Sequence, residues 1–318
     1  MDFLYVVAGF AGLLFGGEML VRGAVSVARG LNVSPMVIGL TLVGFGTSTP
    51  ELVTSINAAL AGSPGIAMGN VVGSNICNIL LILGMGALIA PITVHREALR
   101  RDGSVLAVAT VLCVVAVLYG TVGRAAGAVL VAALGGYLVM TFWLESRRQS
   151  PAAEVYEAEA DLPAPVGHGG MGPATLAFVA GLALTLVAAR FLVQGAVGLA
   201  ADWGMSEAVI GVTVVAVGTS MPELVTSVIA ARRGQGDVAF GNVIGSNIFN
   251  ILGILGVTAL VRPMAVPPEI MRLDIWVMLA ATALLFVIAR SGWDISRREG
   301  GLLAGAYGAY LGWLVINI

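Results

Sequence analysis

The chain has 318 residues, of which 58% are hydrophobic and only 11% charged, and its formal net charge is −2. Soluble domains carry about a quarter charged residues, so this composition excludes an ordinary soluble domain and points to an all-α, polytopic protein of the lipid bilayer. No basic patch with interleaved aromatics suggests a nucleic-acid partner. The two cysteines, Cys77 and Cys113, sit inside apolar runs, which argues against a disulfide framework or a zinc site.

The N-terminus, Met1-Asp2-Phe3-Leu4, lacks the positive start of a signal peptide and runs straight into an apolar helix. About ten spans are expected, near 3–28, 35–61, 66–91, 103–121, 124–143, 173–200, 206–231, 238–261, 272–290 and 299–317. The long connection from Glu145 to Gly172 is rich in Pro, Ala, Gly and acids and reads as a solvated linker. The expected organisation is a first five-helix repeat over 1–143, a cytoplasmic linker over 144–172 and a second five-helix repeat over 173–318.

Arginine placement orients the chain. With the N-terminus outside, Arg29, Arg96, Arg100, Arg101, Arg147, Arg148, Arg232, Arg233, Arg297 and Arg298 fall in inside loops. Only Arg124, Arg262 and Arg272 fall outside. This positive-inside bias turns both termini outward. Five spans per half then make the second half start from the opposite side, so the halves are inverted repeats, a plan that puts a site at mid-membrane between them.

The repeat is legible residue by residue. Thr41 to Gly84 aligns without a gap on Thr213 to Gly256, with about 28 of roughly 44 positions identical. Each copy carries one acid, Glu51 or Glu223, in an apolar segment. Each acid follows a helix breaker: Gly46, Thr47, Ser48 and Pro50 in one copy, Gly218, Thr219, Ser220 and Pro222 in the other. Proline removes a backbone donor and clashes with the preceding turn, and glycine makes unwinding cheap. Broken backbone at membrane depth survives only when buried in protein or lining a cavity. Two broken helices with freed carbonyl oxygens are therefore expected to face each other.

The following span adds a polar stripe. Asn70, Ser74 and Asn78 are four apart and share a face, as do Asn242, Ser246 and Asn250. A single Ser or Asn in a membrane helix is packing glue and carries no functional weight alone. A membrane-embedded carboxylate is a functional hypothesis by default. Carboxylates, hydroxyls, amide oxygens and carbonyls together form an all-oxygen cage suited to hard cations such as calcium and sodium. Two buried acids repel each other without a counter-cation, and one divalent or two monovalent ions would neutralise them.

Gly46-Thr-Ser-Thr-Pro-Glu51 with Gly69-Asn-Val-Val-Gly-Ser-Asn-Ile-Cys-Asn78, and their counterparts in the second half, resemble the two alpha repeats of the calcium/cation antiporter superfamily, in particular the prokaryotic sodium/calcium exchangers. The resemblance spans essentially the full chain. It implies four ion positions, one for calcium and up to three for sodium, and alternating access by sliding of the first and sixth spans. By position, Glu51 and Glu223 would be the principal calcium ligands, completed by the carbonyls of Thr47 and Thr219. Ser48, Ser74, Ser220 and Ser246 would serve the flanking sodium sites, with carbonyl help from Gly44 and Ala216. Asn78 and Asn250 would line the middle.

The sequence departs from the family pattern at Asn250, where many members carry aspartate. With two carboxylates, calcium would leave the pocket neutral and three sodium ions would leave it at plus one. The family's large cytosolic regulatory domains are missing. The expectation is therefore a non-enzymatic calcium/sodium antiporter of the plasma (inner) membrane, with no cofactor besides the transported ions, complete as a monomer. The alternatives are proton/calcium exchange on the same fold, an intramembrane protease using two acids, and a passive channel.

Glu18 and Arg190 occupy equivalent places in the first and sixth spans. A gating ion pair between them competes with snorkelling of each toward the nearer interface.

Overall fold

The computed structural model describes residues 1–30, 46–145, 171–232, 234 and 236–317. Gly44, most of the linker and the first part of the expected second span lie outside the described residues.

The described residues form eleven helices: α1 (Asp2–Gly30), α2 (Thr49–Ala61), α3 (Pro64–Ile89), α4 (Arg96–Leu118), α5 (Arg124–Glu145), α6 (Met171–Trp203), α7 (Glu207–Thr219), α8 (Met221–Arg232), α9 (Gly236–Val261), α10 (Ile270–Ser291) and α11 (Arg297–Ile316). Seven are long and apolar enough to cross a membrane, and the bent pair α7–α8 makes an eighth. The sequence reading expects about ten. The second expected span is described only from Gly46 on. The tenth, α11, reaches 20 residues but opens on Arg297, Arg298 and Glu299 and is interrupted by glycines.

The internal repeat recurs in the helix irregularities. A π segment over Cys77–Leu83 in α3 has its counterpart over Phe249–Leu255 in α9. Another over Leu99–Gly103 in α4 matches Ile270–Asp274 in α10. Such wide turns favour functional regions because they re-aim side chains and loosen the i→i−4 ladder. The repeats interlock through two short antiparallel ladders. β1 (Ile92–Thr93) pairs with β4 (Asp294–Ile295), and β2 (Thr121–Val122) pairs with β3 (Met264–Ala265). Arginines reinforce the same exchange: Arg124 donates to the Leu260 carbonyl and Arg297 to that of Ile89, occupying carbonyls at helix C-termini.

The counterparts α1 and α6 run antiparallel in close contact. Gly9 faces Leu192, Gly12 faces Ala188, Gly16 faces Thr185, and Gly23 faces Phe178. Small residues let the two backbones approach where lipid supplies no hydrophobic drive for association. In this register Glu18 and Arg190 stand about seven residues apart in depth, roughly 10 Å. They do not pair; Glu18 instead accepts from Arg22 on its own helix.

The interior belongs to α3 and α9. In these two spans 78% and 83% of the most apolar stretch is buried, against 22–39% in the other five. A helix apolar all round must be surrounded by protein or lipid, and here the polar stripe decides for protein. Both cysteines are free and buried.

Candidate functional site

The site forms where α2 begins and where α7 gives way to α8. Ser48 precedes α2 with φ −88° and ψ 8°, and Ser220 separates α7 from α8 with φ −84° and ψ 10°. These matched, nearly bridge-region conformations put a non-helical residue before α2 and between α7 and α8, so that its hydroxyl is free to point away from the helix axis. The prolines set the position of the break, since neither Pro50 nor Pro222 has an N–H to continue a ladder. The α7–α8 pair bends by 48° there. The expectation of freed carbonyls needs adjustment. The Gly46 carbonyl accepts from Thr49 N–H at 3.2 Å, closing a tight turn. The Ala216 carbonyl accepts from Ser220 N–H at 3.1 Å.

The breaks bring the two halves into reciprocal contact. Ser48 Oγ donates to Glu223 Oε1 at 2.9 Å, and Ser220 Oγ donates to Glu51 Oε1 at 2.9 Å. Both glutamates are 1% exposed. The second oxygen of each carboxylate, Oε2, is buried with no hydrogen-bond partner. Among the described residues no basic side chain pairs with either acid. An ion removed from water without a counter-charge costs several kcal/mol or more, so each acid here requires either a bound cation or a proton.

Further buried polar atoms are left without partners. The hydroxyls of Ser74 and Ser246 are buried and unpaired, as are Asn78 Oδ1 and both polar atoms of the Asn250 amide. Asn78 Nδ2 donates to Asn247 Oδ1 at 3.0 Å. Buried polar atoms in folded proteins are almost always satisfied, and unpaired oxygens gathered in one interior suit a site whose ligand completes them. Thr47 Oγ1 is likewise buried and unpartnered, whereas Thr219 Oγ1 donates to Asn70 Oδ1 at 2.9 Å.

Sequence reasoning missed a brace behind the acids. Asn70 Nδ2 donates to the Glu51 carbonyl at 3.1 Å and to Ser55 Oγ at 2.9 Å. Asn242 Nδ2 repeats this on the Glu223 carbonyl at 3.5 Å and on Ser227 Oγ at 3.0 Å. These asparagines hold the backbone that carries each glutamate. The signal was present, because Ser55 and Ser227 lie one turn beyond the acids on the same face.

A multi-pass helical bundle with paired, buried carboxylates amid unpartnered hydroxyls and amides defines a polytopic membrane protein with a polar interior. The comparisons with known proteins give the family. The model of the family "sodium/calcium exchanger protein" matches residues 1–143 and 173–316. The chain is 41% identical over 315 residues to the putative antiporter CaxA of Alkalimonas amylolytica, covering 96% of each. It is 34% identical over 341 aligned residues to the sodium/calcium exchanger MaX1 of Methanosarcina acetivorans, covering 98% of this chain and 97% of that one. A solved structure of the sodium-calcium exchanger NCX_Mj, soaked with 2.5 mM Na+ and 0.1 mM Ca2+, superposes with a TM-score of 0.65 at 33% identity, over 98% of this chain and 97% of that one. The chain belongs to the sodium/calcium exchanger family; it is an antiporter of that family and not an enzyme.

Proposed function

We propose that this protein exchanges calcium for sodium across the plasma membrane by alternating access, with the ions bound between Glu51 and Glu223. The observation that carries this reading is the crossed pair of serine–glutamate hydrogen bonds, which leaves one free oxygen on each buried carboxylate. One calcium ion between those oxygens neutralises both acids, and sodium ions replace it at the flanking hydroxyls.

In this reading Glu51 and Glu223 are the calcium ligands, with the carbonyls of Thr47 and Thr219. Ser48, Ser74, Ser220 and Ser246 serve sodium, helped by the carbonyls of Gly44 and Ala216. The Ala216 carbonyl already accepts from Ser220 N–H, so its part requires that bond to loosen or its second lone pair to meet the ion. Asn78 and Asn250 line the middle. The two units, 1–143 and 173–318, are inverted repeats on either side of a cytoplasmic linker, with both termini outside and the site complete in a monomer. The antiparallel run of α1 and α6 supports the inversion.

The hydroxyl-rich flanks favour sodium over protons as the coupling ion. The test is radioactive-calcium uptake into proteoliposomes loaded with sodium, with the pH gradient collapsed. Uptake that needs internal sodium and Glu51 supports the reading. Uptake that needs a proton gradient instead moves the protein to proton/calcium exchange.

A further inference from the structure

One contact breaks the likeness between the two halves close to the site. Phe10 projects from α1 onto the backbone of Gly218, where a β-carbon would collide with Cε1 and Cζ of the ring. The ring thus lies directly on bare main chain, one residue before Thr219 and two before Ser220, whose hydroxyl holds Glu51. Phe10 is half-buried and packs against the core. Two turns further along α1, Gly17 lies against the Pro50 ring of the other break, where a β-carbon would be 3.4 Å from Pro50 Cγ. One face of α1 therefore covers both breaks, with an aromatic ring over one and no side chain over the other.

The repeat places Leu182 of α6 where Phe10 stands in α1. Leu182 is 37% exposed. The large apolar side chain of one half is seated on the break of the other, whereas its counterpart stays partly exposed. Two inverted halves that exchange conformations would exchange this difference as well, because each state of one half is the other state of its partner.

We propose that Phe10 and Leu182 are alternating gates: Phe10 seated on Gly218 closes the outer route to the glutamates, and Leu182 closes the inner route when Phe10 lifts. The assignment of sides rests on the outward N-terminus and on the exchange reading above. Phe10 lies in the first, outer half of α1, and Leu182 in the first, inner half of α6. An aromatic ring resting on backbone excludes water from the break without forming a polar bond that opening would have to sever. Gly218 is required because any side chain there would occupy the ring's seat.

The test uses the full-length protein in right-side-out and everted membrane vesicles, reading half-saturating calcium on each face. Apparent affinity scales with the fraction of molecules open to that face. Phe10→Ala is expected to lower half-saturating external calcium by about threefold or more without lowering the internal value. Leu182→Ala is expected to lower the internal value without lowering the external one. Gly218→Ala should act in the same direction as Phe10→Ala, and the double variant should go no further than Phe10→Ala alone, since both remove one contact. Phe10→Leu, which keeps apolar bulk, should shift less. Equal shifts on both faces, or none in any variant, would overturn the gate while leaving sodium-driven uptake by the unmodified protein intact. Absence of sodium-driven uptake by the unmodified protein would overturn the exchange reading and the gate with it.

Discussion

Ser48 and Glu223 stand 175 residues apart in the chain and meet at 2.9 Å in the interior. The mirror pair, Ser220 and Glu51, meets at the same distance. Each serine thus holds the acid of the opposite half, so the environment of each carboxylate is built from both halves. Displacement of one half against the other acts on both carboxylates together.

Glu51→Gln and Glu223→Gln keep the shape and an acceptor for the crossed serine but remove the charge that a cation needs. Each should lower calcium exchange by about 100-fold or more, the scale of losing a charged buried partner. Calcium flux in proteoliposomes measures this, with gel filtration of the purified variants reporting the fold. Near-normal exchange by either variant would contradict the site.

Ser48→Ala and Ser220→Ala remove a hydroxyl donor to a carboxylate, a bond worth about 1.5–3 kcal/mol. Calcium affinity should weaken by about tenfold or more, and by similar factors in the two variants because the bonds are equivalent. Isothermal titration of purified protein reads both. A strong effect in one with none in the other would argue against a shared site.

Asn250→Asp adds a third acid to an interior where both amide atoms of Asn250 are unpartnered. Extra negative charge beside two carboxylates should strengthen cation binding and alter the sodium dependence of calcium efflux, with little effect on folding. The sodium concentration curve is the measurement. An unaltered curve would remove Asn250 from the lining.

Asn70→Ala cuts the brace behind Glu51: it takes the side-chain donor from the Glu51 carbonyl and from Ser55 Oγ, while the Thr219 hydroxyl keeps the Val215 carbonyl at 3.0 Å. Buried groups left unsatisfied cost about 1–3 kcal/mol each, so the thermal midpoint in detergent should fall by several degrees. Asn242→Ala, whose corresponding bond to the Glu223 carbonyl is longer at 3.5 Å, should cost less. The reverse order would show that the hydrogen bonds do not set the difference.

Much of the protein could be read along the chain. Apolar runs of membrane length, the duplicated Pro-broken segments, and the acids Glu51 and Glu223 are local patterns, and their chemistry holds wherever the chain goes. The spacing of Asn70, Ser74 and Asn78 likewise follows from the helical period alone. Partner choice was not legible, because helical spacing tells which residues share a face but not what that face meets. The crossing of Ser48 to Glu223, the link of Asn78 to Asn247 and the brace of Asn70 on the Glu51 carbonyl all depend on how separate helices pack. The same holds for the separation of Glu18 from Arg190, which follows from the antiparallel register of α1 and α6. The sequence by itself determined that two acids would be carried into the membrane on broken helices. Only the tertiary structure decided that each would lean on the other half's serine, because that contact is made by packing the two repeats together and no local propensity encodes it.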